Sequence, residues 1–434
     1  MKAAFYTLGC KVNQYETQNM IEALATNGFE ICGADVPVDV FILNSCTVTA
    51  ESDRKTRQLI RKYRALLPRA IIVLTGCLPQ VCPEDAKALE QADIVLGNTD
   101  RSELITAINE FMLTHLRVVK ISPHNRHDAF MSTPIHTFHE RTRAFVKIED
   151  GCNRYCAYCI IPYARGSVRS KPLEDIASEV AGLAGSGYRE VVLVGINLSA
   201  YGSDIGSDLA AAVECVCAVE GIERVRLGSL EPDLLTDNMI ARLASYNKLC
   251  HHFHLSLQSG CDETLCRMNR HYNSAYYVNL LEKLRDNFYN CSVTTDIMVG
   301  FPGESDEEFS RSLDMFKSCR FARAHVFAYS RRKGTRADTM PGQIQKSEKQ
   351  RRSGIMQAAA QTAQSDFLKT QVGKTLGVLI ETSNPDGSFE GYSENYTKVR
   401  VQSSEGLELL GKIVYVNIAT AFEEHCEGVL VNNV

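Results

Sequence analysis

Short, uninterrupted apolar runs alternate with helical stretches from Ala3 to Tyr329, and this alternation restricts what the chain can fold into. In the N-terminal third the runs are Ala3 to Leu8, Val38 to Leu43, Ala70 to Leu74 and Asp93 to Leu96. Helical spacing falls between them at Tyr15 to Thr26, Ser52 to Leu67, Glu84 to Gln91 and Arg101 to Leu113. Runs that are apolar on both faces belong to buried parallel strands, and parallel strands need helical crossovers. The expectation is an α/β doubly wound parallel sheet over residues 1–114. Six further runs follow: Ala144 to Glu149, Glu190 to Gly195, Arg224 to Ser229, His252 to Leu257, Ser292 to Val299 and Ala324 to Tyr329. Helical stretches separate them, and six βα units are too few for a closed eight-stranded barrel. After Gly373 the pattern changes to short strands, with Asn384-Pro385-Asp386-Gly387 as a strong turn signal. This tail reads as a small β-barrel.

Cysteines stand where such sheets bind ligands. Cys10, Cys46 and Cys77 lie just beyond the first three runs, and open α/β sheets bind ligands at the carboxyl ends of their strands. Three cysteines in register favour an iron–sulfur cluster over small residues in tight turns. A second set, Cys152, Cys156 and Cys159, has the spacing C-x3-C-x2-C and follows the first strand of the second series. Three thiolates can hold three corners of a [4Fe–4S] cube and leave one iron open to a substrate or cofactor. A zinc knuckle is the rival reading, but it wants a fourth Cys or His nearby, and His139 and His251 are distant in sequence.

Composition agrees with a multidomain enzyme. A length of 434 residues suggests roughly two to four domains. Sixteen cysteines in a chain this long are not a small-domain disulfide framework, and point to a reducing compartment. The first six residues read as a strand rather than an export signal. No apolar run reaches the ~20 residues of a bilayer span. A cytoplasmic protein with no membrane partner is expected. A net charge of −5 means that any RNA contact must come from local patches. Two stretches are locally basic, Arg54 to Arg69 and Arg331 to Arg352.

The segments Thr7-Leu8-Gly9-Cys10-Lys11-Val12-Asn13-Gln14, Asn44-Ser45-Cys46-Thr47-Val48-Thr49 and Thr75-Gly76-Cys77, followed by the Cys152/Cys156/Cys159 loop, resemble the methylthiotransferase family of radical S-adenosylmethionine (SAM) enzymes. The Gly-Cys-Lys-Val-Asn-Gln form is similar to the branch acting on N6-threonylcarbamoyladenosine in tRNA. The resemblance spans essentially the whole chain. It implies a methylthiotransferase domain over 1–114, a linker over 115–140, a partial (βα)6 radical-SAM barrel over 141–371 and a TRAM-like RNA-binding barrel over 372–434. It also implies two [4Fe–4S] clusters, one on Cys152, Cys156 and Cys159 that binds SAM, and an auxiliary one on Cys10, Cys46 and Cys77. SAM would serve as methyl donor and radical source. The partners would be a tRNA carrying the modified adenosine at nucleotide 37, a reducing electron donor and a sulfur donor. No side chain is expected to act as acid or base, because an aromatic C–H is too weakly acidic for that chemistry.

Tyr158, Gly195, Asn197, Ser229, Glu231, Gln258 and Asp296 resemble the family's SAM pocket, since glycines allow close approach and polar groups suit an ammonium, a carboxylate and a ribose. In the tail, Tyr392, Asn395 and Tyr396 are candidates to stack on or bond to bases, with core packing an equal contender for either tyrosine. His124, His127, His136 and His139 are expected in a solvated linker. Two rival functions are methylthiolation of a ribosomal-protein aspartate and a non-catalytic RNA-binding iron–sulfur redox sensor. RNA dependence and SAM cleavage respectively separate them from the main reading.

Overall fold

Val40–Ser45 and Ile71–Gly76 are buried along their whole length, as central strands covered on both faces must be. They are β3 and β4 of an all-parallel sheet completed by β1 (Lys2–Thr7), β2 (Glu30–Ile31), β5 (Ile94–Leu96) and β6 (Val118–Lys120), in the order β2-β1-β3-β4-β5-β6. The chain is described by a computed structural model over residues 1–125, 128–131, 133–135, 142–402 and 409–431.

The strand pleat sorts alternate side chains to opposite faces. Phe41, Leu43, Ile72 and Leu74 pack against Leu59, Ile60 and Tyr63 of the helix Ala50–Leu66. Val40, Ile42, Ile71 and Val73 pack on the other side against Met20 and Leu24 of Lys11–Thr26 and Ile108 of Leu104–Thr114. The doubly wound sheet is therefore as expected. The strand β6 is a correction. It lies inside the segment expected to be linker, and at three residues it is too short to show a period in sequence.

The next strands are β7 (Arg143–Lys147), β8 (Glu149–Asp150), β9 (Arg169–Ser170), β10 (Glu190–Val194), β11 (Arg224–Leu227), β12 (Ser229–Leu230), β13 (His252–Leu255), β14 (Ser292–Val299) and β15 (Arg323–Ala328). Two parallel sheets have the orders β11-β10-β7 and β12-β13-β14-β15. Only Gly228 separates β11 from β12, so six strand positions follow one another as in an open (βα)6 barrel. The antiparallel pair β8–β9 clasps the base of the loop between them.

The tail comprises β16 (Thr375–Ser383), β17 (Ser388–Ser393), β18 (Lys398–Gln402), β19 (Ile413–Ala421) and β20 (Cys426–Leu430), closed in the order β16-β17-β18-β20-β19. Leu376, Val378, Ile380, Val399, Val401, Val416 and Ile418 fill it. The sequence reading missed β17. Its Gly391 breaks the alternation, and a Cβ there would lie 1.9 Å from the Leu379 carbonyl oxygen, so only glycine fits against β16.

The chain forms two compact units that do not follow linear boundaries. The first comprises Met1–Ile135, Glu149–Lys171 and Ser330–Asp338. The second takes the strand ending at Ile148, Pro172–Tyr329 and the chain from Thr339 onward. Both cysteine sets thus belong to the first unit. Among the described residues no helix is long and apolar enough to cross a membrane.

Candidate functional site

Parallel register places the first three cysteines side by side. Thr7 pairs with Asn44 and Asn44 with Thr75, so the chain leaves β1, β3 and β4 at one level. Cys10 then caps Lys11–Thr26, Cys46 follows β3 directly, and Cys77 begins the short helix Cys77–Val81. Asn13 fixes the first turn: its Nδ2 donates to the carbonyls of Leu8 (2.8 Å) and Ser45 (3.0 Å). Asn44 Nδ2 donates back to the Asn13 carbonyl at 2.9 Å. Gly76 has φ +99°, and a Cβ there would lie 2.4 Å from the Ser45 oxygen. Glycine at that position lets β4 turn into the Cys77 helix beside β3.

All three are free thiols; Cys46 and Cys77 are buried and Cys10 is exposed. Burial pushes the Cys46 thiol up to about 11, and the neighbouring Cys77 and Cys10 add to the effect. Solvent reaches Cys10, yet desolvation by the surrounding protein raises its thiol as well, against the opposing pull of the Arg165 guanidinium. Three cysteines on neighbouring strand ends form a thiolate donor set of the kind that suits iron–sulfur clusters. Loading such a site displaces protons. Among the described residues no group of three or more Cys, His, Asp or Glu is gathered tightly enough for a single metal ion.

The second cysteine set lies on the loop clasped by β8 and β9. Gly151 has φ +88°, and a Cβ there would sit 2.0 Å from the Ser167 oxygen, while the Cys152 amide donates to Gly166 at 3.0 Å. Tyr155 adopts φ +49°, and the Cys159 amide donates to the Cys156 carbonyl at 2.9 Å, turning the chain between the last two cysteines. Tyr155 and Tyr163 are exposed and meet edge to face with centroids 6.2 Å apart. The helix Ile161–Arg165 follows.

This loop and the strand-end set are held by polar groups. Asn98 Nδ2 donates to the Ala164 carbonyl at 2.7 Å and lies 3.7 Å from Cys77 Sγ. His124 Nε2 also meets the Ala164 carbonyl, at 3.0 Å. His124 is therefore docked rather than solvated, which corrects the linker reading for that residue; His127, His136 and His139 lie outside the described residues. The buried Arg332 pairs with Asp53 and with the hydroxyl of Thr47, the residue after Cys46. These polar residues are scattered along the chain and converge only through the fold.

Of the remaining candidates, Tyr158 belongs to the first unit, while Gly195, Asn197, Ser229, Glu231, Gln258 and Asp296 belong to the second. Gly195 and Asn197 follow β10, Ser229 opens β12 and Glu231 follows it. Glu231 is held by Arg270 at 2.7 Å, and its amide donates to the Ser199 hydroxyl at 2.8 Å. Gln258 has φ +64°, and its amide donates to the Asp296 carbonyl at 2.9 Å. Asp296 lies within β14 between His254 (3.3 Å) and His325 (3.1 Å). Burial alone would raise its carboxyl, but hydrogen bonds from both histidines hold it well below the usual range. The sequence pattern did not reveal Arg270, His254 or His325.

The tail aromatics have an internal role. Tyr396 is stacked between His252 (4.6 Å) and Tyr392 (4.7 Å), with the Arg226 guanidinium 5.0 Å from its ring centre. Asn395 is buried and bonded to Ser393, Thr397, Gln371 and Asn290. Of the two alternatives open in the sequence for either tyrosine, packing is the one observed, and Asn395 shares it. Many charges of the basic stretches are also paired: Arg54 with Glu51, Arg57 with Asp85, Arg64 with Asp93, Arg331 with Asp338 and Arg352 with Glu304.

Residues 146–316 match the Radical SAM superfamily, and residues 2–97 match the uncharacterized protein family UPF0004. The threonylcarbamoyladenosine tRNA methylthiotransferase MtaB of Bacillus subtilis (strain 168) is 35% identical over 99% of this chain and 96% of its own length. Its namesake from Thermotoga maritima is 38% identical over 90% of this chain and 89% of its own. The chain belongs to the radical SAM tRNA methylthiotransferase family. A tRNA-2-methylthio-N(6)-dimethylallyladenosine synthase from Pelotomaculum thermopropionicum is 32% identical over 100% of this chain and 98% of its own. The fold is also similar to that of the radical SAM methyltransferase TsrM from Kitasatospora setae, with a TM-score of 0.56 and 15% identity over 78% of this chain and 74% of that one. As a radical SAM methylthiotransferase, this enzyme uses iron–sulfur chemistry and SAM.

Proposed function

We propose that this enzyme places a methylthio group on C2 of N6-threonylcarbamoyladenosine at nucleotide 37 of tRNA. The observation that carries the reading is the presence, in one compact unit, of two three-cysteine sets on separate turns. The choice of branch is supported by identities of 35–38% to relatives named for that nucleoside, against 31–33% to those named for dimethylallyladenosine.

In this reading Cys152, Cys156 and Cys159 hold the [4Fe–4S] cluster that binds SAM, and Cys10, Cys46 and Cys77 hold an auxiliary [4Fe–4S] cluster. When bound, these groups supply the electron that cleaves one SAM, the methyl group of another and the sulfur to be inserted. The protein ligates, orients and excludes water. Residues 1–114 form the auxiliary-cluster domain, 141–371 the radical-SAM core and 372–434 the RNA-binding barrel. Gly195, Asn197, Ser229, Glu231, Gln258 and Asp296 in the second unit, and Tyr158 in the first, are each candidates to contact SAM. A reducing electron donor and a sulfur donor complete the set of partners, and the enzyme works in the cytoplasm.

Mass analysis of tRNA nucleosides from cells lacking this chain tests the reading. The 2-methylthio form should vanish while N6-threonylcarbamoyladenosine accumulates; unchanged nucleosides overturn it, and loss from dimethylallyladenosine instead moves the enzyme to the other branch. Division of labour between the two sets gives a second test. A Cys10→Ala, Cys46→Ala, Cys77→Ala protein should still release 5′-deoxyadenosine from SAM with dithionite but form no methylthio product. A Cys156→Ala protein should do neither. Methylthio product from the triple variant would refute the assigned role of the strand-end cysteines.

A further inference from the structure

One buried guanidinium lies beside the strand-end cysteines. Arg165 ends the helix after the Cys152/Cys156/Cys159 loop, is 1% exposed and reaches Asn13 in the turn that carries Cys10. Its Nη1 pairs with Glu16, Nη2 donates to Glu16 at 3.0 Å and to Asn13 Oδ1 at 2.5 Å, and Asp150 lies at 3.6 Å. Glu16 is itself shared, since the buried Arg101 also pairs with it. Asp150 is shared in turn with Arg169 at 3.4 Å, so two carboxylates serve three guanidiniums and leave positive charge to be met from elsewhere, because buried charges require partners. The Arg165 Nε is buried and has no protein acceptor. The nearby groups not yet used are the sulfur atoms: Cys10 Sγ is 3.9 Å from the same Asn13 oxygen that Arg165 holds, and Cys77 Sγ is 3.7 Å from Asn98, which donates to the carbonyl of Ala164 next to Arg165.

We infer that Arg165 is a positioning residue for the auxiliary site: its charge and its spare Nε–H face the sulfur of the cluster held by Cys10, Cys46 and Cys77, and raise that cluster's reduction potential. Hydrogen bonds and charge around the sulfurs are established levers on cluster potential. The arrangement also couples the two cysteine sets mechanically. The same five-residue helix that leaves the Cys159 turn ends in the cation of the other site, and Asn13 and Asn98 brace it from both sides. A shift of the SAM-binding loop therefore moves the charge that the auxiliary cluster senses.

The inference rests on the reading that Cys10, Cys46 and Cys77 hold a cluster, and iron content tests that separately. The parent for the test is the full chain with Cys152, Cys156 and Cys159 all changed to Ala, reconstituted anaerobically. It should hold about four irons by the ligand count; none would overturn the cluster reading itself. In this parent the potential is read by redox titration followed by electron paramagnetic resonance. Arg165→Gln should weaken the cluster's hold on its electron at least tenfold, a negative shift of about 59 mV for a one-electron couple. Arg165→Lys, which keeps the charge, should shift it less. An Arg165→Gln protein that folds but holds no iron, rescued by Arg165→Lys, equally supports the inference. Glu16→Gln removes a competing carboxylate and should move the potential upward, so the test stands even where Arg165 variants fail to fold. An unchanged potential in iron-replete Arg165→Gln or in Glu16→Gln overturns it, as does an equal shift in the Gln and Lys variants of Arg165.

Discussion

At the scale of single residues, the second unit depends on Glu190. This carboxylate is fully buried at the start of β10 and lies 2.7 Å from Arg226, 3.7 Å from Arg224 and 4.0 Å from Arg143. Burial alone would raise its pKa; the three guanidiniums outweigh that and hold it below the ordinary 4.5. Removing one partner of a buried ion network leaves charge uncompensated and costs about 3–5 kcal/mol. Glu190→Gln should destabilise the protein by about that much at neutral pH, read by thermal or urea unfolding. Because the folded pKa is depressed, the contribution is fully present above 4.5 and is lost as pH falls through the lower folded value. The gap between wild type and Glu190→Gln should therefore narrow as pH drops below 4.5; a gap that widens there contradicts the assignment. Such residues are hard to read in sequence. Glu190, Arg224 and Arg226 sit inside runs whose neighbours are apolar, and nothing local distinguishes a buried charge from a solvated strand end. The cysteines were legible because their chemistry is rare and their spacing regular. Arg165 was not, since its partners Asn13 and Glu16 are about 150 positions away in the chain.

At the scale of elements, the long strands and helices were legible because they satisfy one pattern over many residues. Ser292–Val299 carries β-branched or apolar residues at every position but Ser292 and Asp296, and Asp306–Ser318 follows the Ser305/Glu308 capping box. Short elements escaped. Cys77–Val81 and Ile161–Arg165 are five residues each and contain proline, and their order comes from tertiary bonds. In the tail barrel the sequence left base contact and core packing open for two tyrosines. Tyr392 and Tyr396 looked suited to bases, yet they stack beneath Arg143 and Arg226. Exposed aromatic surface lies elsewhere on that barrel, at Tyr415 on β19 (51% exposed) and at Phe422, which stacks on His425 at 5.0 Å. If this barrel binds tRNA, Tyr415→Ala and Phe422→Ala should each weaken binding by about 1–3 kcal/mol per stacked base with unchanged melting. Tyr396→Ala should instead lower the melting temperature and leave the affinity of the folded fraction alone. Gel-shift titration beside calorimetry separates the two outcomes, and the reverse pattern would sink this division of roles.

At the scale of the whole molecule, the linear division into N-terminal domain, radical-SAM core and tail cuts across the compact units that the chain forms. The tail belongs to the same compact unit as β7 and the strands from β10 to β15, and the bonds between them are buried and charged. Arg224 donates to the Gly377 carbonyl at 2.7 Å, and Arg226 donates to the carbonyls of Ser393 and Glu394 at 3.0 Å each. Arg143 pairs with Glu381 at 2.9 Å, and the Ser292 hydroxyl donates to the Asn395 carbonyl at 2.6 Å. Gly377 lets the Arg224 guanidinium come close, since a Cβ there would lie 2.6 Å from it. Ending the chain at Gln371 would remove the acceptors of three arginines that face β10 and β11, together with the Tyr396 ring that covers His252. Each lost acceptor of a buried charged donor costs about 1–3 kcal/mol or more, a large fraction of the 5–15 kcal/mol that holds a typical domain together. A chain of residues 1–371 should therefore melt well below the full protein, or fail to give a cooperative transition, before any question of tRNA binding arises. Point changes on the exposed face of the barrel, not its deletion, are the sound test of RNA contact. A 1–371 protein that unfolds at the full-length temperature would show that the buried charges find new partners and that the tail is a separable module after all.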